Sequence, residues 1–527
     1  MVTSKSLVCG VLVALAPVVG GCVAAERPPE PVAAVTELVA QADAVPTPRI
    51  AWAPCAEVAL RGKDCARVAV PLDYANPTGR HLELAVVRQP AGDPAHRIGT
   101  LFTAAGGPGG SGVEWAAKGE MFPGELSRRF DVVTFDQRGV GRSSTVRCFP
   151  DSTAQQDFWH TLALPPVGTA QQAATTDASG RLAEGCLRHD GELIAHLTTV
   201  DAARDLDLLR RAVGDPTLTY QGGSYASYLG TVYGALFADR VRALQLSSIL
   251  DPAPYTTDTR AVIDATATGT EEVLGEFLRL CAAAGPLRCA FATDASSIAD
   301  LRARDTALLD RAKAAPIRVG EGAATVPVTY SELVQAHAML LYDASLGWPA
   351  LAALLTELER GPAGNPAVVR QVLTAIASTG DFLDSFVAIS CADNALPRQP
   401  LRWPEFAAES AETAPVYGPF WLYLRQPCAT WPAPTDGYPQ RYTGPWTQHS
   451  TVPPLLVNNR FDPATPLPGA QRAAAAMGDA RLVVVTDGYG HEPDGDCVTD
   501  LTQRYLVDLQ LPAAGTTCAN GRTPFTG

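Results

Sequence analysis

The sequence predicts an α/β fold in which a mostly parallel sheet is flanked by helices and interrupted by a helical lid. Strand-like and helix-like segments alternate from Ile50 to Leu250, and Ala-rich helical segments then dominate residues 251–415. Strand-like runs resume after this block, beginning at Pro454. Alternating strands and helices favour a parallel sheet covered by helices. We therefore expect a core formed by residues 50–250 and 416–527, with the lid inserted between them.

The composition of the chain is that of a folded, acidic protein. Hydrophobic residues make up 46% of the 527 positions and charged residues 18%, which permits a sizeable core and excludes wholesale disorder. The net charge of −14 argues against nucleic acid as a partner, because phosphate binding needs a basic face.

The first 22 residues predict an export signal. Lys5 precedes an apolar run from Leu7 to Val19, which is too short to span a bilayer comfortably. The following Gly-Gly-Cys resembles a bacterial lipobox, in which Cys22 would be lipidated; an ordinary signal peptide with a chance cysteine is the alternative. Any membrane association is expected through this anchor alone. Residues 23–49 are rich in Ala, Pro and Glu without a sustained period, and are expected to form a flexible tether.

Ten cysteines remain when Cys9 and Cys22 are set aside. An even number in an exported protein implies disulfides, and none of the ten forms a C-x-x-C motif or has zinc-finger spacing with histidine. We therefore expect an extracytoplasmic protein, secreted or anchored to the cell membrane, with no metal and no cofactor. The sequence leaves the connectivity open, and pairing of nearest neighbours is our expectation. The expected pairs are Cys55–Cys65, Cys148–Cys186, Cys281–Cys289, Cys391–Cys428 and Cys497–Cys518.

Hydrophobic periodicity predicts the individual elements of the core and the lid. In the first part of the core, the predicted strands are 82–87, 98–102, 130–135, 217–220 and 241–249, and the predicted helices are 199–213 and 225–237. In the lid, the predicted helices are 266–284, 298–315, 329–342, 349–359 and 366–377. Strands 454–458 and 481–486 and a helix at 498–508 complete the chain.

The segment T-Y-Q-G-G-S-Y-A around Ser224 predicts a nucleophile. A strand runs into a turn of small residues, then the serine, then a helix, which is the context of the G-x-S-x-G elbow. The turn exposes the serine hydroxyl, and small neighbours are needed because the turn is tight. Ala226 stands where the motif has a glycine, and one additional methyl group is compatible with such a turn.

A serine hydroxyl needs a base and an acid that orients the base, because a neutral hydroxyl is a poor nucleophile. Asp462 follows the strand beginning at Pro454, and His491 lies in a glycine-bearing loop after the strand beginning at Arg481. The order Ser, acid, His is the order that this elbow context predicts. Asp487 is the rival acid, although its proximity to His491 in the sequence suits a turn better.

Two glycine-bearing loops follow neighbouring strands. In A-A-G-G-P-G-G-S-G, the N–H of Gly107, together with that of Tyr225, is expected to form an oxyanion hole. A simple loop without a catalytic role is the alternative. Phosphate binding is disfavoured, because the phosphate-binding glycine motifs are absent from this segment. In D-Q-R-G-V-G-R-S, Asp136 and Arg138 are expected to brace a turn as scaffold.

These motifs together resemble the α/β-hydrolase family of serine aminopeptidases, the group of proline iminopeptidases and tripeptidyl aminopeptidases. The resemblance covers about residues 50 to 520, is weakest in the lid, and favours the secreted actinobacterial branch with a C-terminal segment similar to tripeptidyl aminopeptidase. It implies the α/β-hydrolase fold and the same triad. It also implies that acidic lid residues bind the free amine of a peptide. A-I-S-C-A-D makes Asp393 the candidate, and capping of a loop beside a disulfide is the alternative role.

The leading hypothesis is an exported, monomeric serine hydrolase that releases short pieces from peptides with free N-termini. The runner-up is a carboxylesterase or lipase acting on envelope lipid esters, because the same triad cleaves esters and the fold does not fix the substrate. A non-catalytic binding protein is a third possibility, which the intact serine, aspartate and histidine disfavour. Dehalogenase chemistry would need an aspartate in place of Ser224.

Overall fold

A computed structural model describes residues 31–432 and 439–525 of the chain. The expected signal sequence and the lipidation site Cys22 lie outside these residues. A ten-stranded sheet forms the centre of the fold, and a separate two-stranded hairpin lies in the lid. The strands are β1 (Ala53–Pro54), β2 (Asp64–Pro71), β3 (His81–Gln89), β4 (Gly99–Ala104), β5 (Phe130–Phe135), β6 (Leu218–Gly223), β7 (Val241–Ser247), β8 (Ile317–Val319), β9 (Val326–Val328), β10 (Leu455–Phe461), β11 (Arg481–Tyr489) and β12 (Thr517–Cys518).

The order of the central sheet is β1-β2-β3-β5-β4-β6-β7-β10-β11-β12. Its first three pairings (β1 with β2, β2 with β3 and β3 with β5) are antiparallel, and every later pairing is parallel. The parallel strands are buried, apolar runs because helices cover both faces. The carboxyl ends of β6, β10 and β11 therefore lie along one edge, where ligands bind in open α/β sheets.

Helices cover the sheet and build the lid above this edge. They are α1 (Pro31–Ala44), α2 (Gly112–Ala116), α3 (Glu125–Arg129), α4 (Ser152–Thr161), α5 (Gly168–Ala195), α6 (Thr199–Ala212), α7 (Tyr225–Leu236), α8 (Pro252–Thr257), α9 (Thr259–Ala284), α10 (Ile298–Ala314), α11 (Tyr330–Leu340), α12 (Gly347–Arg360), α13 (Pro366–Ile376), α14 (Gly380–Asp393), α15 (Trp403–Thr413), α16 (Tyr417–Tyr423), α17 (Leu467–Met477) and α18 (Asp496–Asp508). The lid has its own apolar core around Trp348 and Phe277.

The expectation of a flexible tether at 23–49 is wrong for the part that the structure describes. Residues from Pro31 to Ala44 form helix α1, and Leu38, Val39 and Ala42 pack against the main core. Arg211 donates hydrogen bonds to the carbonyls of Ala42 and Val45. The segment is therefore part of the folded body, because its few apolar residues meet an apolar surface that the local composition does not reveal.

The lid also departs from its expected boundaries. Helix α16 and a 3₁₀ turn at Gln426–Ala429 continue the helical region past residue 415, and α4 and α5 add helices at 152–195 that were not predicted within the core. Within the described ranges, no single helix combines the length and apolar composition needed to cross a bilayer; α13 and α14 meet that criterion only as a pair, bent by 43°.

Five disulfides join the ten cysteines in the nearest-neighbour pattern that was expected. The Cys391–Cys428 bond ties the end of α14 to the segment after α16, and the Cys497–Cys518 bond ties α18 to β12. Disulfides form and persist in oxidising compartments, and their presence indicates an extracytoplasmic protein.

Candidate active site

Ser224 occupies the sharp turn between β6 and α7. Its backbone has φ 58° and ψ −132°, a conformation that costs energy for any residue with a side chain. The turn is held from both sides, since the Ser224 N–H donates to the Ser247 carbonyl at 3.1 Å and its own carbonyl accepts from Ser227 N–H at 2.8 Å. This geometry is typical of a nucleophile elbow.

The glycines before Ser224 leave space for neighbouring groups. A Cβ at Gly222 would stand 2.7 Å from the Ala226 carbonyl oxygen, and a Cβ at Gly223 would stand 2.7 Å from Glu492 Oε2. A side chain at position 223 would therefore displace the Glu492 carboxylate and crowd Ser247 Oγ, which stands 2.8 Å from the same point. Ala226 is fully buried, and its methyl group is accommodated in the core.

Asp462 and His491 meet where β10 and β11 end. His491 Nδ1 lies 3.0 Å from Asp462 Oδ1 and 3.2 Å from Oδ2, and both side chains are buried. Asp462 also accepts hydrogen bonds from the N–H groups of Ala464 and Thr465 and from the Thr465 hydroxyl at 2.8 Å. These bonds hold the carboxylate in one orientation, which in turn orients the imidazole.

The lid contributes to the position of His491. The His491 N–H donates to the Tyr342 carbonyl at 2.8 Å, and the two rings lie 4.8 Å apart. Gly490, at φ 95°, lets this happen, since a Cβ there would stand 2.5 Å from the Tyr342 oxygen. Ser248 Oγ donates to the carbonyl of His491 from the end of β7. Tyr342 is far from His491 in the sequence, and no local pattern marks it.

The pKa of His491 reflects two opposing effects. Burial lowers the pKa of the imidazole, but the charge of Asp462 and its hydrogen bond raise it by more, and Glu492 adds to the increase. The pKa therefore lies above the ordinary histidine value. An imidazole that binds its proton more tightly is a stronger general base.

The glycine loop after β4 lies against Ser224. A Cβ at Gly106 would stand 3.0 Å from Ser224 Cβ, and Gly110 N–H donates to the Gly106 carbonyl at 3.0 Å. Gly106 and Gly107 both line the same cavity as Ser224. Tyr225, at the first position of α7, presents an N–H that has no partner within the helix. Gly106 therefore lies directly against the serine, and the oxyanion role of the Gly107 and Tyr225 N–H groups stays a prediction.

One large cavity, of about 2020 Å³, opens between the sheet edge and the lid. Ser224, His491 and Glu492 lie on its floor side, and residues of α9, α11, α13 and α14 form much of its wall. Within the described part of the chain, no hydrogen bond joins Ser224 Oγ to His491; such contacts are often long in unliganded enzymes and shorten when substrate binds. The volume exceeds the 300–1,000 Å³ of an ordinary small-molecule pocket and accommodates an extended substrate.

The structure places Asp393 inside the protein. Its side chain is only 2% exposed, and it accepts from the N–H and the hydroxyl of Thr199 at 2.8 and 2.6 Å. Burial raises the pKa of Asp393 to about 7, while the bonds from Thr199 lower it. The carboxylate thus caps the start of α6, two residues after Cys391. This geometry matches the alternative, structural role and corrects the expectation that Asp393 binds a substrate amine.

Asp136, Arg138 and Asp487 stabilise the fold through hydrogen bonds and ion pairs. Asp136 accepts from Ser111 Oγ and from the N–H groups of Val113 and Arg142, and it thereby ties together the two glycine-bearing loops. Arg138 makes a buried, two-pronged ion pair with Asp205. Asp487, the rival acid, accepts from the backbone N–H groups at 520 and 521.

Comparisons with known proteins agree with this architecture. The family described as alpha/beta hydrolase fold matches residues 101–280, and the family described as TAP-like protein matches residues 414–518. Tripeptidyl aminopeptidase of Streptomyces lividans is 29% identical over 87% of this chain and 84% of its own length. Serine protease Hip1 of Mycobacterium tuberculosis is 30% identical over 89% of this chain and 91% of its own length. Carboxylesterase B of Mycobacterium tuberculosis is 29% identical, over 90% and 91%.

One central sheet carries both the serine turn after β6 and the aspartate–histidine pair after β10 and β11. These features together extend over most of the chain. The similarity to Hip1 extends over most of the chain, and the TAP-like family matches the C-terminal segment that holds Asp462 and His491. The chain therefore belongs to the α/β-hydrolase family of serine aminopeptidases, in the group with a TAP-like C-terminal segment, and it is a serine hydrolase.

Proposed function

We propose that this hydrolase is an exported peptidase that removes short pieces from peptides with free N-termini. The observation that carries the proposal is the buried Asp462–His491 pair, which opens into the same cavity as the strained Ser224. Tripeptidyl aminopeptidase and serine protease are the names of two relatives that are similar over most of the chain. The size of the cavity supports an extended peptide as substrate.

In the proposed reaction, Ser224 Oγ attacks the scissile carbonyl while His491 Nε2 accepts the serine proton. Asp462 stabilises the imidazolium through Nδ1–H, and backbone N–H groups at Gly106, Gly107 and Tyr225 stabilise the oxyanion. The tetrahedral intermediate collapses when His491 gives the proton to the departing amine. The acyl-enzyme is then hydrolysed by water, which His491 activates in the same way.

The free amine of the substrate needs an anionic partner in the cavity, since Asp393 is buried elsewhere. Glu492 offers a carboxylate that is exposed to the cavity beside Gly223, the residue before the nucleophile. Its Oε2 accepts a hydrogen bond from Ser247 Oγ at 3.3 Å, which helps to hold the side chain in place. We assign Glu492 to the recognition of the ammonium group.

Ester hydrolysis is the second candidate function, and the similarity to Carboxylesterase B favours it. A panel of fluorogenic peptides of graded length, each with a free and an acetylated N-terminus, separates the two. A peptidase of the proposed type hydrolyses the free-amine peptides far faster than the acetylated ones. Equal rates, or turnover of acyl esters alone, would make the esterase the better description.

Cys22 is proposed as the site of a lipid anchor in the same exported protein. Expression of the full chain in an actinobacterial host with a labelled fatty acid tests this proposal. We expect label and membrane association with the native chain and neither with Cys22→Ala. A Cys22→Ala protein that remains on the membrane would remove the lipid anchor from the proposal.

A further inference from the structure

An arginine in the wall of the cavity lacks a partner for its charge. Arg425 follows α16 and lines the cavity, and its Nη1 atom is completely buried without a hydrogen-bond partner. Among the described residues, no carboxylate lies within 4.0 Å of its guanidinium. A buried cation without a partner is costly, and proteins keep such groups where a ligand completes them.

Two other arginines of this region have carboxylate partners. Arg472 pairs with Asp251 at 2.7 Å, and Glu272 pairs with Arg460 at 3.0 Å. Arg425 is more buried than Arg472 and Arg460, and it has no such carboxylate partner among the described residues. Burial lowers the pKa of Arg425 to about 10, which still leaves it charged at neutral pH. The described residues of the chain therefore supply no anion to Arg425, which leaves its charge available to an anionic ligand.

The position of Arg425 is held by its surroundings. Its guanidinium carbon lies 4.1 Å from the centre of the Phe386 ring, and the Cys391–Cys428 bond joins its segment to α14 three residues later. The Phe386 backbone packs against Gly109, where a Cβ would stand 2.8 Å from its nitrogen. The arginine is thus connected through α14 to the glycine loop beside Ser224.

Two further polar atoms of the same wall lack partners. The hydroxyl of Tyr255 and Oδ1 of Asn394 are buried without a hydrogen bond, and both residues line the cavity. Asn394 Nδ2 donates to the Tyr255 carbonyl at 2.9 Å, which places these residues side by side. Burial and the charge of Asp393 raise the pKa of Tyr255, whereas Arg425 and the Asn394 side chain lower it, so that Arg425 and Tyr255 lie within electrostatic reach of each other. Two buried donors and one buried acceptor of this wall are therefore without a hydrogen-bond partner among the described residues.

We propose that Arg425, assisted by the Tyr255 hydroxyl, binds a carboxylate carried by the peptide substrate. The proposal rests on the peptidase function given above and adds a specificity to it. A planar guanidinium binds carboxylate through paired, charge-assisted hydrogen bonds, whereas a neutral carbonyl would leave the positive charge uncompensated. The carboxylate belongs either to the C-terminus of a short peptide or to an acidic side chain.

Two sets of free-amine peptides distinguish these sources. The first compares each peptide acid with its C-terminal carboxamide, and the second compares Glu with Gln at each position. We expect kcat/KM of the native enzyme to favour the carboxylate by about 10-fold or more in one set, because a site built for a charged group rejects its neutral analogue. Arg425→Gln should remove this preference, and Arg425→Lys should restore part of it.

Arg370→Gln is the matched control, because Arg370 also lines the cavity but is exposed to solvent. We expect this variant to keep the native ratio. Equal kcat/KM values in both sets for the native enzyme would overturn the proposal without any variant. Arg425→Gln that retains the native ratio would also overturn it.

Binding of the same peptides to Ser224→Ala, measured by calorimetry, separates the carboxylate site from the reaction. If native enzyme hydrolyses none of the peptides, the proposed function fails, and tighter binding of acids than of carboxamides would still support the site. Equal affinity or no binding would overturn the site. The two proposals can therefore fail independently.

Discussion

Asp462 at the carboxyl edge of the sheet is fully hydrogen-bonded, whereas several buried polar atoms in the wall of the lid are not. At the edge, Asp462 accepts four hydrogen bonds from Ala464, Thr465 and His491, and no capacity is left over. In the wall, Arg425 Nη1, Tyr255 Oη and Asn394 Oδ1 are buried without a hydrogen bond to any described residue. Groups that must act in one geometry are oriented before substrate arrives. Groups that recognise a substrate keep their hydrogen bonds for it.

The largest expected effect comes from the nucleophile at the edge. Ser224→Ala should lower kcat by about 10⁴-fold or more, because the reaction loses the atom that forms the acyl-enzyme. Labelling by a fluorophosphonate probe should disappear while the circular dichroism spectrum stays native. Ser331→Ala, which changes another serine of the cavity, should label and turn over normally. Activity of Ser224→Ala near that of the native enzyme would point to a different nucleophile.

The next effect tests which acid orients the base. Asp462→Asn should lower kcat by roughly 10³- to 10⁴-fold, because the amide no longer stabilises the correct tautomer and the imidazolium. Asp487→Asn is the matched control, since Asp487 bonds only to the backbone near the C-terminus in the described structure. Steady-state kinetics at saturating substrate provide both values. The assignment fails if the second substitution is the more damaging one.

A smaller effect concerns pH. Neutral His491 is the active form, so that kcat/KM should rise with pH through a pKa above the ordinary histidine value of about 6.5. Glu492→Gln removes a charge that raises this pKa and should move the rise to lower pH by less than about one unit. Glu272→Gln, at another part of the cavity, should leave the profile in place. An unchanged profile for Glu492→Gln would contradict the electrostatic contact.

The smallest effect on specificity is expected at Asp393. Asp393→Ala should lower the free energy of unfolding by about 1–3 kcal/mol, because the N–H and hydroxyl of Thr199 lose their acceptor. The ratio of rates on free-amine and acetylated peptides should not change. Denaturant melts and paired kinetics measure the two quantities, and Asp393→Asn should recover part of the stability. If the ratio fell sharply while the free energy of unfolding stayed native, Asp393 would have to be assigned to the binding of the substrate amine.

The local patterns of the chain were sufficient to locate the residues of the sheet edge. Ser224, Asp462 and His491 each follow a strand, and parallel strands end at one edge, which means that order along the chain implies proximity. Thr465, which bonds Asp462, lies three residues after it in the segment F-D-P-A-T-P at 461–466, so its proximity to Asp462 follows from the sequence. The boundaries of the helices that were predicted were also accurate within a few residues, except where α9 begins earlier; α5, the longest described helix, was not predicted.

The remaining features arise only when distant segments pack together. Helix α1 belongs to the folded body because it is bound by Arg211 of α6, a contact that the sequence does not reveal. Tyr342 contacts His491 from the lid. Arg425 and Asp393 look alike in the sequence, as charged residues near a disulfide cysteine. In the fold, Asp393 accepts two hydrogen bonds from Thr199, whereas Arg425 lines a cavity without a carboxylate partner among the described residues. Whether a charge finds a partner depends on contacts that no local pattern encodes.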